Sequence, residues 1–291
     1  MAEQPVVSAE GVWFAYPEAD WALRDVSLSI NSGEYVALVG PNGAGKTTLA
    51  KLLCGLVLPE RGRAAIQGRD TAGLQPRDLA RAVGYVFQNP DHQIFAATTR
   101  EELGFGPHNL GLDEAEVLSR VEGGLARFGL TGVADQPPAT LSFPVRRQVA
   151  LASVYAMRPQ VLILDEPTGG LGWDSVGEVL EAVADLRAEG HTIVLITHDM
   201  GLVAGLADRV VVLQAGSISF DGTPREAFAA ADELQVTGLV PSRIHRLARG
   251  LAGFGISSLP LTVEQFVEEF CSALESPGSD RLGADRGAGP A

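Results

Sequence analysis

Residues 35–49, Tyr35-Val36-Ala37-Leu38-Val39-Gly40-Pro41-Asn42-Gly43-Ala44-Gly45-Lys46-Thr47-Thr48-Leu49, join an apolar run to a glycine-rich turn. From Gly40 to Thr47 the turn has the form G-x-x-x-x-G-K-[ST], and the stretch Thr48–Leu53 reads as a helix. This strand, loop and helix context is what the motif needs to work. Glycines permit positive φ, so successive backbone N–H groups can converge on an anion. The helix N-terminus adds its partial positive charge. Gly40, Pro41, Asn42, Gly43, Ala44, Gly45, Lys46, Thr47 and Thr48 are therefore candidate phosphate-binding residues. Lys46 would reach the β- and γ-phosphates, and the Thr47 hydroxyl would ligate Mg²⁺.

A second segment belongs with the first. Val161-Leu162-Ile163-Leu164-Asp165-Glu166 is an apolar strand ending in two acids, with Asp165 standing 119 residues after Lys46. Asp165 can hold Mg²⁺, and Glu166 can polarise an attacking water. Phosphoryl transfer is mostly positioning and electrostatics, so a lysine, a magnesium ion and a water-orienting acid form a minimal kit.

Further out, Ile193–Ile196 and Val210–Leu213 are also continuously apolar, as in parallel strands buried on both faces. Helical stretches separate them. In Ala115–Phe128 the residues Val117, Val121, Leu125 and Phe128 share a face behind a capping-box pair, Asp113 and Glu116. Ser175–Ala188 reads likewise and ends at Gly190, a C-cap glycine. This alternation predicts an α/β fold. The N-terminal segments Val6–Val7 and Leu23–Ile30, with Ala64–Gln67, predict a small antiparallel sheet. Near the C-terminus, Leu261 to Phe266 combines a capping box (Thr262, Gln265) with a hydrophobic staple (Leu261, Phe266), and predicts a short helical appendage. Residues 276–291 are rich in Gly, Pro, Asp and Ser and predict a disordered tail.

Composition narrows the classes. The 291 residues are 46% hydrophobic, enough for a sizeable core. Net charge is −14, which disfavours tight nonspecific binding to nucleic acid. Two cysteines, Cys54 and Cys271, are too few for a disulfide-stapled secreted domain. No apolar run approaches the roughly 18 residues of a membrane span, and the start MAEQPVVSAE shows no signal-peptide pattern.

Together with further segments in the expected order, these motifs resemble the ATP-binding cassette (ABC) ATPases. The resemblance covers roughly residues 5–235, with a helical subdomain expected at about 98–157 and a helical extension over 241–275. It implies an α/β P-loop ATPase core with a small antiparallel β subdomain, using ATP and Mg²⁺. Tyr16, in Val12-Trp13-Phe14-Ala15-Tyr16, matches the adenine-stacking position. Gln88 matches the glutamine that senses Mg²⁺ and the membrane partner, and His198 matches the switch histidine at the γ-phosphate. Leu141-Ser142 stands where the signature helix begins.

The segments Gln88 to Phe95, Glu101 to Pro107 and Asn109 to Leu112 resemble the energy-coupling-factor (ECF) branch, as does the C-terminal extension. That likeness implies ATPases that pair on the cytoplasmic face of the membrane. They grip a transmembrane scaffold subunit and drive a separate substrate-binding membrane subunit, importing vitamins or transition-metal ions. No nucleic acid partner is expected. Two readings stay open beside it: the ATPase of another ABC transporter, or a largely ATP-binding regulatory subunit.

The chain departs from the pattern it resembles in two places. The signature Leu-Ser-Gly-Gly-Gln reads Leu141-Ser142-Phe143-Pro144-Val145, and Gly172 stands where the family usually has an aspartate. Proline has no N–H to donate, and losing one charge-assisted hydrogen bond costs roughly 1.5–3 kcal/mol. Residues used in cis (Lys46, Thr47, Gln88, Asp165, Glu166, His198) look intact, whereas those facing the partner (Phe143, Pro144, Gly172) do not. An asymmetric heterodimer with an ATPase of intact signature is the expectation, the alternative being pairing with itself.

Overall fold

The computed structural model describes residues 4–230, 243–252, 256 and 260–275. Two sheets carry the fold. A six-stranded sheet has the order β10-β9-β3-β8-β7-β6. Its strands are β3 (Tyr35–Val39), β6 (Val83–Val86), β7 (Val161–Asp165), β8 (Thr192–Ile196), β9 (Arg209–Gln214) and β10 (Ser217–Gly222). All neighbours pair in parallel except β10 with β9. Every residue of β3, β6, β7 and β8 is buried, which is why Tyr35–Val39, Val161–Leu164 and Ile193–Ile196 are continuously apolar in sequence.

The second sheet is antiparallel, in the order β2-β1-β4-β5. It is built from β1 (Val7–Ala15), β2 (Trp21–Ile30), β4 (Arg61–Ile66) and β5 (Arg69–Asp70). The expected small antiparallel sheet is present, and β1 runs well beyond Val7.

Alternate residues of the parallel strands face different cores. Val36, Leu38, Val161, Ile163, Val194 and Ile196 pack with the antiparallel sheet and with helix α1 (Lys46–Leu53). Leu162, Leu164, Ile193 and Leu195 face the opposite way. There they meet α3 (Thr99–Asn109), α4 (Glu114–Arg127), α5 (Phe143–Tyr155) and α6 (Trp173–Ala188). The short α2 (Pro76–Ala82) precedes β6.

Caps place the helix starts. Thr98 and Glu101 form a reciprocal capping box at α3. At α4 only half of the expected box forms: the Asp113 side chain accepts from Glu116 N–H. Gly190, with φ 91°, lies just past the end of α6 as the sequence predicts.

The chain continues through α7 (Met200–Leu206), α8 (Pro224–Ala229), α9 (Arg243–Gly250) and α10 (Val263–Glu275). Leu261 packs against the Phe228 cluster, and the buried His245 ring lies 5.7 Å from that of Phe228. Thr262 caps Gln265 N–H, but the Gln265 amide oxygen accepts from Leu261 N–H, one residue before the expected partner. The tail at 276–291 lies outside the described residues.

Candidate active site

Four segments leave the carboxyl ends of four adjacent parallel strands. β3 leads into the Gly40–Thr48 loop, β8 into Thr197-His198, β7 into Glu166 and β6 into Phe87-Gln88. Open parallel sheets bind ligands at this edge. A cavity of about 220 Å³ lies there, lined by Asn42–Thr48, Gln88, Asp165 and Glu166, with Ala22 and Ile196.

The loop's backbone is set by its glycines. Gly40, Gly43 and Gly45 have φ of 144°, 79° and 103°. A Cβ on Gly45 would lie 2.6 Å from the carbonyl oxygen of Ala22. Gly45 ends the loop as the N-cap of α1, with no side chain capping it. The first-turn N–H groups of α1 have no intrahelical acceptor, and no acid stands in that turn. The cavity wall thus presents backbone N–H groups of the kind that suit an anion. The Lys46 ammonium donates to the carbonyls of Gly40 (2.8 Å) and Pro41 (3.0 Å). Burial lowers its pKa, opposed by the carboxylates of Glu166 and Asp165.

Asp165 sits at the end of β7 and is buried. Its Oδ2 accepts from the Thr47 hydroxyl at 3.0 Å and the Tyr85 hydroxyl at 2.7 Å. Burial, then the Asp165 charge, raises the Tyr85 pKa, so the phenol stays a donor. Thr47, Asp165 and Gln88 line one cavity with hard oxygen donors, the chemistry Mg²⁺ prefers. No cluster of three His, Cys, Asp or Glu side chains suited to a metal occurs among the described residues. An ion here would take its remaining ligands from phosphate and water. Tyr85→Phe removes one of the two donors to Asp165 and is expected to cost about 1–2 kcal/mol. An unchanged denaturant midpoint would refute that contact.

Glu166 has φ 48°, a left-handed conformation that costs a non-glycine residue about 1–3 kcal/mol. It is held from every side. Its N–H donates to Ile196 O at 2.9 Å, and its carbonyl accepts from Gly169 N–H at 3.1 Å and Arg147 at 2.6 Å. Its carboxylate accepts from His198 Nδ1 at 2.9 Å. The His198 side chain is otherwise 81% exposed.

Gly40, Pro41, Tyr16 and His198 lie outside the cavity wall. Tyr16 is 39% exposed, its ring edge-on to Phe14. Ser142 is the N-cap of α5, and Phe143 and Pro144 open that helix, where proline is favoured. The Phe143 ring is half-buried, turned onto the guanidinium groups of Arg146 and Arg147. Gly172 caps α6 and is exposed.

Two residues at this site carry no motif signal of their own. Tyr85 reads as one more apolar strand residue. Arg147 had a readable cue: a cation one helical turn before the apolar Ala150 and Leu151, on their face of the helix.

A P-loop at the end of a central parallel strand, with an acid pair on a strand two positions away, defines a P-loop nucleoside triphosphatase. The profile of the ABC transporter family matches residues 23–169. The energy-coupling factor transporter ATP-binding protein of Methanocaldococcus jannaschii is 36% identical, over 91% of this chain and 99% of its own. The cobalt import ATP-binding protein of Rhodobacter capsulatus is 42% identical, over 84% of this chain and 88% of its own. Among solved structures, cbiO1 from Clostridium perfringens, described as part of an ABC transporter complex, superposes with a TM-score of 0.70. It is 33% identical, over 86% of this chain and 99% of its own. The chain belongs to the ABC transporter family, as an ATPase whose hydrolysis of ATP is coupled to transport.

Proposed function

We propose that this chain powers an ECF-type importer of a vitamin or a transition-metal ion, as one half of an asymmetric ATPase dimer. It would sit peripherally on the cytoplasmic face of the membrane, against a transmembrane scaffold subunit that serves a separate substrate-binding membrane subunit. One observation carries this reading. Lys46, Thr47, Gln88, Asp165 and Glu166 converge on one cavity, whereas the α5 N-terminus, which in this reading would face the partner ATPase, carries Phe143-Pro144.

The names of the archaeal and Rhodobacter relatives support the ECF branch. So does a mostly apolar groove of about 440 Å³ beside the segment after Gln88, walled by Phe95, Phe105, Leu110 and Met157. Phe95 and Phe105 are 64% and 50% exposed, a surface suited to a short apolar helix. Gln93 ties this wall to α5 by donating to Ala150 O and Ser153 Oγ. No helix among the described residues is long and apolar enough to cross a membrane.

In this mechanism the loop amides and Lys46 take the charge of the β- and γ-phosphates. Thr47, Gln88 and Asp165 would hold Mg²⁺, which supplies further charge neutralisation when bound. Glu166 accepts the proton of the water whose oxygen attacks the γ-phosphorus, as the bond to the bridging oxygen breaks. His198 steadies the Glu166 carboxylate and reaches the γ-phosphate, and Tyr16 stacks on adenine.

Affinity capture of the chain from detergent-solubilised native membranes tests the reading. A second ATPase with Leu-Ser-Gly-Gly-Gln, a multispanning scaffold and a small membrane protein are expected. Capture of this chain alone, hydrolysing ATP as a homodimer as fast as the native complex, would reject the asymmetric pair.

A further inference from the structure

Arg147 is buried, 3% exposed, on the second turn of α5. Its guanidinium donates to three backbone carbonyls on two segments, the turn Glu166–Gly169 after β7 and Gln88 after β6. Nη1 meets Glu166 O at 2.6 Å, and Nη2 meets Gln88 O at 2.6 Å and Gly169 O at 3.1 Å. The Phe143 ring lies 5.5 Å from the guanidinium carbon. Burial draws the Arg147 pKa down, while Glu166 and Asp165 push it up.

These contacts bridge two parts of the fold. Arg147 belongs to the helix that opens at Phe143-Pro144. The carbonyls belong to the segments that carry Glu166 and Gln88. The guanidinium reaches this set from two nitrogens of a rigid planar fork, whereas an ammonium has all its donors on one atom. Glu166 adopts left-handed backbone, and its carbonyl is one of those fixed by Arg147. A shift of α5 therefore displaces the backbone of Glu166 and Gln88 together.

We propose that Arg147 is a positioning residue for hydrolysis, locking Glu166 and Gln88 to helix α5 so that the catalytic geometry follows the placement of that helix. The inference rests on the assignment of Glu166 and Gln88 to the reaction.

The test compares Arg147→Met, Arg147→Lys and Glu166→Gln in the full-length chain with its membrane partners. ATP affinity, steady-state kinetics and thermal unfolding are measured for each. Arg147→Met should bind ATP within about twofold of the parent and lose roughly 100-fold in kcat at unchanged KM, the cost of a small misplacement of a reacting group. Arg147→Lys keeps the charge but cannot span three carbonyls, and should recover only part of kcat, leaving it roughly tenfold down. Where Arg147→Met does not fold, the lysine variant decides. Native kcat in either folded variant, or a loss confined to KM, overturns the inference. Native turnover in Glu166→Gln sinks the Glu166 assignment itself, whereas an inactive Glu166→Gln beside a fully active Arg147 variant sinks only the role of Arg147.

Discussion

Replacing Glu166 by glutamine is expected to leave ATP binding intact and to cut turnover by about 10²–10⁴-fold, the usual range for a general base. At 1.36 kcal/mol per tenfold, that is about 3–5 kcal/mol of barrier. The amide keeps the size and shape of the side chain, and its oxygen can still accept from His198 Nδ1, 2.9 Å away in the parent. The backbone bonds to Ile196, Gly169 and Arg147 do not involve the carboxylate, so the left-handed turn at Glu166 persists. What disappears is a basic site for the proton of the attacking water. Stopped-flow binding of a fluorescent ATP analogue and phosphate release measure the two halves separately. Turnover within threefold of the parent would remove Glu166 from the reaction. A lost ATP affinity would mean that the charge serves binding instead.

The strands were legible where burial is two-sided. β3, β7 and β8 are continuous apolar runs because both faces are covered, and their sequence limits agree with the structure to within a residue. β1 was harder. Register shifts fall between Ala9 and Val12, Val12 and Phe14, and Phe14 and Ala15, and Gly11 has positive φ. Only the first of these shifts puts its extra residue in β1, and that bulge breaks the strand's period of two, so only the first residues read as strand. Helix α3 carries Gly104, Gly106 and Pro107, which dilute any helical period. The structure starts it with the capping box of Thr98 and Glu101, and its buried Glu102 is explained by contacts to the preceding loop, the carboxylate accepting from Phe95 and Ala96 N–H.

The candidate site shows the same division. The loop and the acid pair are local patterns, whereas Gln88 and His198 were placed only through the resemblance to the ABC ATPases. The donors that hold them are not local. Tyr85 reaches Asp165 across 80 residues, and Arg147 reaches Gln88 across 59. Such pairs exist only once β6, β7 and α5 are packed. The Phe143 side chain illustrates the point from the other side. Sequence marks it as bulk added to a glycine position, and the fold turns its ring onto Arg146 and Arg147 and against Gly170.

Gly40→Ala should be the most damaging single-methyl substitution in the loop, lowering stability by about 2–6 kcal/mol and abolishing ATP binding. Two penalties combine. The φ of 144° is a region that residues with a Cβ rarely adopt. The added Cβ would also lie 2.2 Å from the carbonyl oxygen of Leu213, far inside van der Waals contact. That neighbour cannot yield cheaply. Leu213 is fully buried in β9, whose residue Val212 pairs directly with Val39 of β3. Relief would have to come from moving the loop, and with it the amides that wall the phosphate site. Gly43→Ala is the matched control: φ is again positive, at 79°, but a Cβ there meets nothing within 4 Å. It should cost only about 1–2 kcal/mol of backbone strain. Denaturant unfolding of the two variants beside the parent measures the difference, with nucleotide affinity read on the same samples. Equal costs at the two positions would mean that backbone conformation alone matters. A Gly40→Ala protein that binds ATP as the parent does would show that the loop can shift past β9 without losing its phosphate geometry.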